Sequence, residues 1–326
     1  MIEEVFKNIF RIGVVLPGNP LKEVNCYFIR GDKTDLLIDT GFNRDACRDA
    51  LKAGLEELGS DPERRDVLAT HLHSDHCGMA NQFVGTERHI YMSDEDLSLL
   101  ETFRDSRDPE YHYHRFVREG FTQEMMDEIY RTNPAFTEGM TEIDDRFIKL
   151  KDGDVVRAGD YELETILVPG HTPGNCMFYI RDKKLLFTGD HILFDITPNI
   201  TYWPRVNDSL GDYLDSLKRA REMDVEVPLP GHRKPADYYA RIDELLVHHE
   251  RRLADALGIV KEYPGYNATE IAGLMKWKIH SKDWESFPLI QKWFAVGECL
   301  SHLDYHMLHG NVRCEEEDGV MIYYAV

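Results

Sequence analysis

Thr70-His71-Leu72-His73-Ser74-Asp75-His76 places three histidines and an aspartate within six consecutive positions. Imidazole nitrogens and carboxylate oxygens are the donors that zinc and related divalent ions take. In an extended segment residues i and i+2 point the same way, so His71 and His73 can grip one ion together. Asp75 and His76 come just past the expected strand end and can turn toward a second ion. The plain alternative is a polar turn with surface histidines. It does not account for so dense a run of ligand-type side chains.

Three further residues of the same types lie downstream. His171 sits in Pro169-Gly170-His171-Thr172-Pro173-Gly174, a loop punctuated by Gly and Pro. Asp190 ends the apolar run Leu185-Leu186-Phe187-Thr188-Gly189, which reads as a short buried strand. His232 sits in Pro230-Gly231-His232, after Val225 to Leu229. Each lies at a strand-to-loop junction, where scaffolds present functional groups. Singly, each is an ordinary loop residue; in this order and spacing they form a set.

The set resembles the metallo-beta-lactamase superfamily. The match rests on His71, His73, Asp75, His76, His171, Asp190 and His232, with Leu37-Ile38-Asp39-Thr40-Gly41 near the start, and spans roughly residues 5 to 250. The resemblance implies an α/β fold, a four-layer αβ/βα sandwich with metals at one edge of two facing sheets. It assigns His71, His73 and His171 to a first ion, Asp75, His76 and His232 to a second, and Asp190 as the bridge. The flavin-linked diiron members usually carry Glu at the position of His73, so the His here favours hydrolysis.

The expected chemistry follows from those ligands. A divalent ion lowers the pKa of bound water from about 15.7 toward about 7. Two ions sharing a hydroxide supply a nucleophile at neutral pH, with the carboxylates Asp75 and Asp190 as the catalytic pair and Asp75 orienting the hydroxide. Two divalent ions are expected, with zinc favoured and iron or manganese as alternatives, because availability decides as much as affinity. Asp39 is set behind the ligands, where it accepts the second N–H of a metal-bound histidine or fixes its loop. A turn-forming Asp before Thr-Gly is its plain alternative.

Composition agrees with a water-soluble enzyme. The chain has 326 residues, 42% of them hydrophobic, enough for a large core and an accessory region. No apolar run approaches the roughly 20 residues that span a bilayer. The acidic start Met1-Ile2-Glu3-Glu4-Val5 lacks the basic stretch of a signal peptide. The six cysteines form no CxxC pair, which fits a reducing cytoplasm. Cys77 reads as a small residue packed beside the site rather than a redox group. A formal net charge of −21 repels phosphate backbones, so a nucleic-acid partner is disfavoured.

Residues 1–237 read as the catalytic domain. Val24 to Arg30 and Asp35 to Asp39 predict a hairpin, Asp45 to Leu58 a helix, and Tyr213 to Met223 another. Within it, residues 94–140 have helical spacing in Leu97, Leu100 and Phe103 and again in Met125, Ile129 and Tyr130, and predict a helical insertion. Following the His71–His76 loop directly, this insertion is placed to roof the site, with Tyr111, Tyr113 and Phe116 as an apolar substrate wall. The competing expectation is that these rings simply pack the insertion onto the core.

Residues 238–326 read as a separate C-terminal domain. A long helix runs from Tyr238, a short one from Thr269 to Met275 with Thr269 as its cap, and another from Trp293 to Leu308, stopped by Gly310. A β-hairpin turning at Asp318-Gly319 follows. Helices followed by a hairpin resemble a winged helix. Such extensions occur in a hydrolase branch of the superfamily that includes relatives of beta-lactamase-like protein 2, and the superfamily also contains glyoxalase II. The acidic turn Glu315-Glu316-Glu317-Asp318 has the wrong sign for DNA. A structural or homodimerising role, or closure of the active-site rim, is expected instead.

The reading is therefore a cytoplasmic dinuclear metal-dependent hydrolase acting on a small-molecule ester, thioester or lactone. The alternatives are a phosphodiesterase or nuclease, a mononuclear iron oxygenase of the same fold, and a regulatory protein that uses the winged helix over a vestigial site.

Overall fold

The computed structural model describes residues 2–105, 110–137, 141–278 and 281–326, with the side chains of 104, 105, 110–112 and 135 left aside. The first sheet runs in chain order through β1 (Ile2–Phe6), β2 (Ile9–Val15), β3 (Glu23–Ile29), β4 (Asp35–Ile38), β5 (Arg65–Leu68), β6 (Ile90–Ser93) and β7 (Phe147–Leu150). Pairing is antiparallel from β1 to β4 and parallel from β4 to β7. The second sheet is ordered β12-β11-β10-β9-β8, from β8 (Val155–Ala158), β9 (Tyr161–Leu167), β10 (Cys176–Ile180), β11 (Leu185–Gly189) and β12 (Val227–Pro230). Its β11–β12 pair alone is parallel.

Side-chain alternation builds the layers. On β3, Val24, Cys26 and Phe28 turn outward with Phe10, Ile12 and Val14 of β2 to meet Leu51 and Leu55 of α1 (Asp45–Glu57). Tyr27 and Ile29 turn inward, where Leu36, Ile38 and Leu68 meet Leu163, Phe178, Leu185 and Phe187 of the facing sheet. Met177, Tyr179 and Leu186 point the other way, onto the helices of the far layer. Period-two burial on both sheets with helices outside is the four-layer sandwich that the resemblance implied.

The remaining helices divide by position. Two single turns, α2 (Ser74–Cys77) and α3 (Ala80–Phe83), follow β5. Residues 94–140 carry α4 (Asp94–Asp105), α5 (Glu110–Arg118), α6 (Gln123–Thr132) and α7 (Pro134–Thr137). After β11 come α8 (Ser209–Arg221), α9 (Tyr238–Glu262), α10 (Ala268–Leu274) and α11 (Leu289–Leu308), then the hairpin β13 (Val312–Glu317) and β14 (Val320–Ala325). The expected cap on α10 is corrected. Asn267 caps it, in a reciprocal box with Glu270 at 2.9 Å each way. Thr269 instead donates its hydroxyl to the Glu119 carbonyl at 2.6 Å.

That bond belongs to a larger feature. Phe116, Phe121, Met126 and Ile129 of the insertion share one hydrophobic core with Ala256, Ile271, Trp293, Val296, Leu300 and Tyr323 of the C-terminal region. A fully buried polar group sits in the same seam. Glu119 pairs with Arg115 at 2.9 Å and accepts from the Tyr323 hydroxyl at 2.9 Å. The Arg115 guanidinium lies over the Tyr202 ring, 5.1 Å from its centre.

Candidate metal centre

Two features of the scaffold bring the seven residues together. The β4–β5 and β11–β12 pairs are parallel, so their chain directions deliver consecutive loops to one end of each sheet. The two sheets are then tied at that end. Tyr27 Oη and Asn25 Nδ2 donate to the Pro230 carbonyl at 2.8 and 2.9 Å, and the Cys176 amide donates to the Thr70 carbonyl at 2.9 Å. Gly231 lets His232 approach closely: a Cβ there would lie 2.5 Å from Asp190 Oδ1 and 2.9 Å from His76 Cε1.

The donor atoms fall into three overlapping triads, each within 4.8 Å: His71, His73 and His171; His71, His76 and Asp190; Asp75, His76 and His232. His71, His76 and His232 are wholly buried, while Asp75, His171 and Asp190 expose less than a tenth of their surface. The contacts are close. His71 Nε2 lies 3.0 Å from His73 Nδ1, and His76 Nε2 lies 3.2 Å from His232 Nε2. Asp190 stands between, with Oδ1 3.4 Å from His76 Nε2 and Oδ2 3.5 Å from His232 Nε2 and 3.8 Å from His171 Nε2.

Each anchored ring is fixed through its other nitrogen. His76 Nδ1 faces Asp39 Oδ2 at 2.7 Å, His171 Nδ1 the Asn199 carbonyl at 2.8 Å, and His232 Nδ1 the Glu23 carbonyl at 2.7 Å. His71 Nδ1 lies 3.0 Å from Thr70 Oγ1, whose hydroxyl lies 2.9 Å from Asp39 Oδ2. Asp39 is thus a collector for two rings, one directly and one through Thr70. Its other oxygen accepts the Thr70 amide at 2.8 Å. Its φ of 60° is the left-handed conformation that few non-glycine residues adopt, and Asp more readily than most.

Electrostatics favour a cation. Burial, then the neighbouring imidazoles, holds His71 well below its usual pKa, and burial followed by His171 lowers His73 to about 3. Both are neutral and keep a lone pair. Burial alone would raise Asp75, but His76 and His232 outweigh it and bring the carboxyl to about 2. Burial would lower His76; Asp190, Asp39 and Asp75 outweigh it and hold it high. His171 Nε2 is buried without a hydrogen-bond partner among the described residues, as is Asp190 Oδ1. Orphaned buried donors and acceptors are costly. Two such atoms beside the neutral His71 and His73 and the carboxylates of Asp75 and Asp190 are what a divalent ion satisfies, so the residues present fit a metal.

The other sequence expectations fare differently. Cys77 is buried, and burial followed by Asp39 pushes its thiol up, so it is a packed thiol and not a thiolate. Phe116 packs in the core shared with the C-terminal region: its ring is wholly buried, stacked on Trp293 at 5.7 Å and edge-on to Phe121. Tyr113 packs on Tyr130 at 5.9 Å, with its hydroxyl 3.0 Å from Asp127. The side chain of Tyr111 lies outside the described residues. Two residues at the centre carry no sequence signal of their own. Trp203 stacks on His73 at 5.9 Å and donates Nε1–H to the His171 carbonyl at 3.0 Å. Asp96, wholly buried, accepts the Leu72 amide at 2.8 Å, the Thr172 hydroxyl at 2.8 Å and the Gly174 amide at 2.6 Å.

A four-layer sandwich with a buried histidine–aspartate cluster at one sheet edge is the architecture of a metal-dependent enzyme, and the relatives place it among the hydrolases. The chain belongs to the metallo-beta-lactamase superfamily, whose family model matches residues 20–232. It is 29% identical over 221 residues to the human protein named acyl-coenzyme A thioesterase MBLAC2, covering 64% of this chain and 72% of that one. Among solved structures, a metallo-beta-lactamase family protein from Thermus thermophilus superposes with a TM-score of 0.82 at 25% identity, covering 99% of this chain and 100% of the other. A beta-lactamase domain protein from Burkholderia ambifaria gives 0.85 at 26% identity, covering 100% and 94%. Both likenesses extend across the insertion and the C-terminal region.

Proposed function

We propose that this protein hydrolyses a thioester of a small acyl group, using two divalent ions, most simply zinc. The observation that carries the reading is the meeting of two triads, His71/His73/His171 and Asp75/His76/His232, on either side of Asp190. The human relative's name supplies the thioester class. When bound, such ions lower the pKa of water to near neutrality and polarise the oxygen under attack. Asp190 faces both sides, with Oδ2 3.8 Å from His171 Nε2 and 3.5 Å from His232 Nε2, and would help to hold both ions. Asp75, with Oδ2 3.4 Å from His232 Nε2, stays ionised at neutral pH and orients the attacking water by accepting its hydrogen bond. Trp203 presents an apolar wall beside His73, which excludes bulk water from one flank. Water adds to the acyl carbon, the carbon–sulfur bond breaks, and the thiol leaves with a proton.

The test is elemental analysis of the metal-reconstituted protein together with a panel of acyl thioesters, lactones, β-lactams and phosphodiesters. We expect about two ions per chain, fastest turnover on a thioester, and no turnover for Asp190→Ala. One ion or fewer per chain, or a phosphodiester cut faster than any acyl substrate, would overturn the reading.

A further inference from the structure

The loops bearing His71 and His73 on one side and His171 on the other belong to different sheets. His71 and His73 follow β5 of the first sheet, and His171 follows β9 of the second. Three ligands drawn from two sheets form one triad only if something fixes the loops to each other. We infer that Asp96 is the positioning residue that does this, clamping the His71–His73 loop and the His171 loop into one ion site; the inference rests on the metal-centre reading above.

The geometry is specific. Leu72, whose amide donates to Asp96 Oδ2, is the residue between His71 and His73. Thr172, whose hydroxyl donates to the same oxygen, follows His171, and Gly174 donates to Oδ1 two residues later. One carboxylate therefore receives three donors from two loops, all buried. Only an acceptor on both oxygens satisfies this set. An Asn offers one oxygen and turns an N–H₂ toward a remaining donor, and an Ala leaves two backbone N–H groups buried and unpaired.

Gly174 gives independent support. A Cβ at that position would lie 2.5 Å from the Asp96 nitrogen and 2.8 Å from Asp96 Oδ1, and would also press on Ser93 Oγ. The His171 loop thus approaches the start of α4 as closely as a backbone can. Asp96 is itself in the first turn of α4, with its amide on Ser93 Oγ at 3.2 Å. The helical insertion consequently begins at the clamp. A contact that shifts α4 therefore acts first on the loops that carry His71, His73 and His171.

The experiment is calorimetric titration of the metal-free protein with zinc, with the folded state checked by circular dichroism. His171→Ala serves as the reference for loss of the first ion and His232→Ala for loss of the second. We expect Asp96→Ala to weaken the first ion by about 10–100-fold, as losses of ligand-orienting partners do, while the second binds as in the wild type. Asp96→Asn is expected to fall between, and Gly174→Ala to reproduce the first-ion defect with the carboxylate intact. If Asp96→Ala does not fold, Asp96→Asn decides: selective weakening of the first ion supports the clamp, and wild-type binding of both ions overturns it. Equal weakening of both ions also overturns it. A wild-type protein that takes up no zinc would overturn the metal-centre reading itself, and this inference with it.

Discussion

Replacing Asp39 by Asn changes one atom of a side chain that touches no reacting group, yet it should disable half of the metal centre. His76 Nδ1 lies 2.7 Å from Asp39 Oδ2, a contact that keeps a proton on Nδ1 and so makes Nε2, which faces His232 and Asp190, the nitrogen that gives up its proton to ligate. An Asn with its amide nitrogen in that place sets donor against donor. His76 then holds its proton on Nε2 instead, where it cannot ligate. The flipped amide is no remedy, because it opposes the Thr70 amide 2.8 Å away in a site where Asp39 is 2% exposed. The left-handed backbone at φ 60° suits Asn as well as Asp, so the change is electronic and not conformational. Loss of such an orienting partner costs about 10–100-fold in metal affinity or activity, about 1.4–2.7 kcal/mol. His76 belongs with Asp75 and His232, so the second ion should suffer. The first is spared because Thr70, which links His71 to Asp39, can rotate its hydroxyl. Zinc titration and turnover of the Asp39→Asn protein test this. Wild-type affinity for both ions, or selective loss of the first, would refute the tautomer argument.

Two further outcomes are expected elsewhere in the molecule. Phe116→Ala should cost about 3–5 kcal/mol in urea unfolding, because a wholly buried ring stacked on Trp293 is lost, while zinc content stays unchanged; a neutral effect on stability with altered substrate preference would return Phe116 to a substrate wall. Burial raises the Glu119 carboxyl from 4.5 to about 7, against the pull of Arg115 and Tyr323. The folded protein therefore keeps a proton there that the unfolded chain releases. That stabilisation is complete below about pH 4.5 and is lost as pH rises through about 7, on the order of 3 kcal/mol. Denaturation at pH 5 and pH 8 should show wild type losing more stability than Glu119→Gln; parallel losses in the two proteins would count against the assignment.

The histidine–aspartate cluster was legible because its members announce themselves chemically. Histidines at positions 71, 73 and 76 with an aspartate between them have few other uses, and the later His171, Asp190 and His232 follow strands whose apolar runs are plain. Asp96 was not legible, for a physical reason. It acts through hydrogen bonds to residues 24 and 78 positions away, and in the string Ser93-Asp94-Glu95-Asp96 it looks like any acid at a helix start. Trp203 was hidden likewise, since stacking on His73 depends on where the loop after β11 returns. The cap of α10 could have been read: Asn267 and Glu270 have capping-box spacing, and Thr269 drew attention only as another cap-forming residue. The amphipathic faces of α6 and α11 were visible, but periodicity tells that a face is apolar and not which partner covers it.

The core shared by α5, α6, α11 and the terminal hairpin makes two distant stretches of chain a single inherited unit. Phe116 without Trp293, or Tyr323 without Glu119, would leave an apolar face or a buried hydroxyl with nothing against it. Recombination that exchanges residues 94–140 between relatives therefore carries a penalty unless residues 238–326 travel with them. A chimera that takes both segments from one parent keeps this core intact, and one that splits them between parents does not.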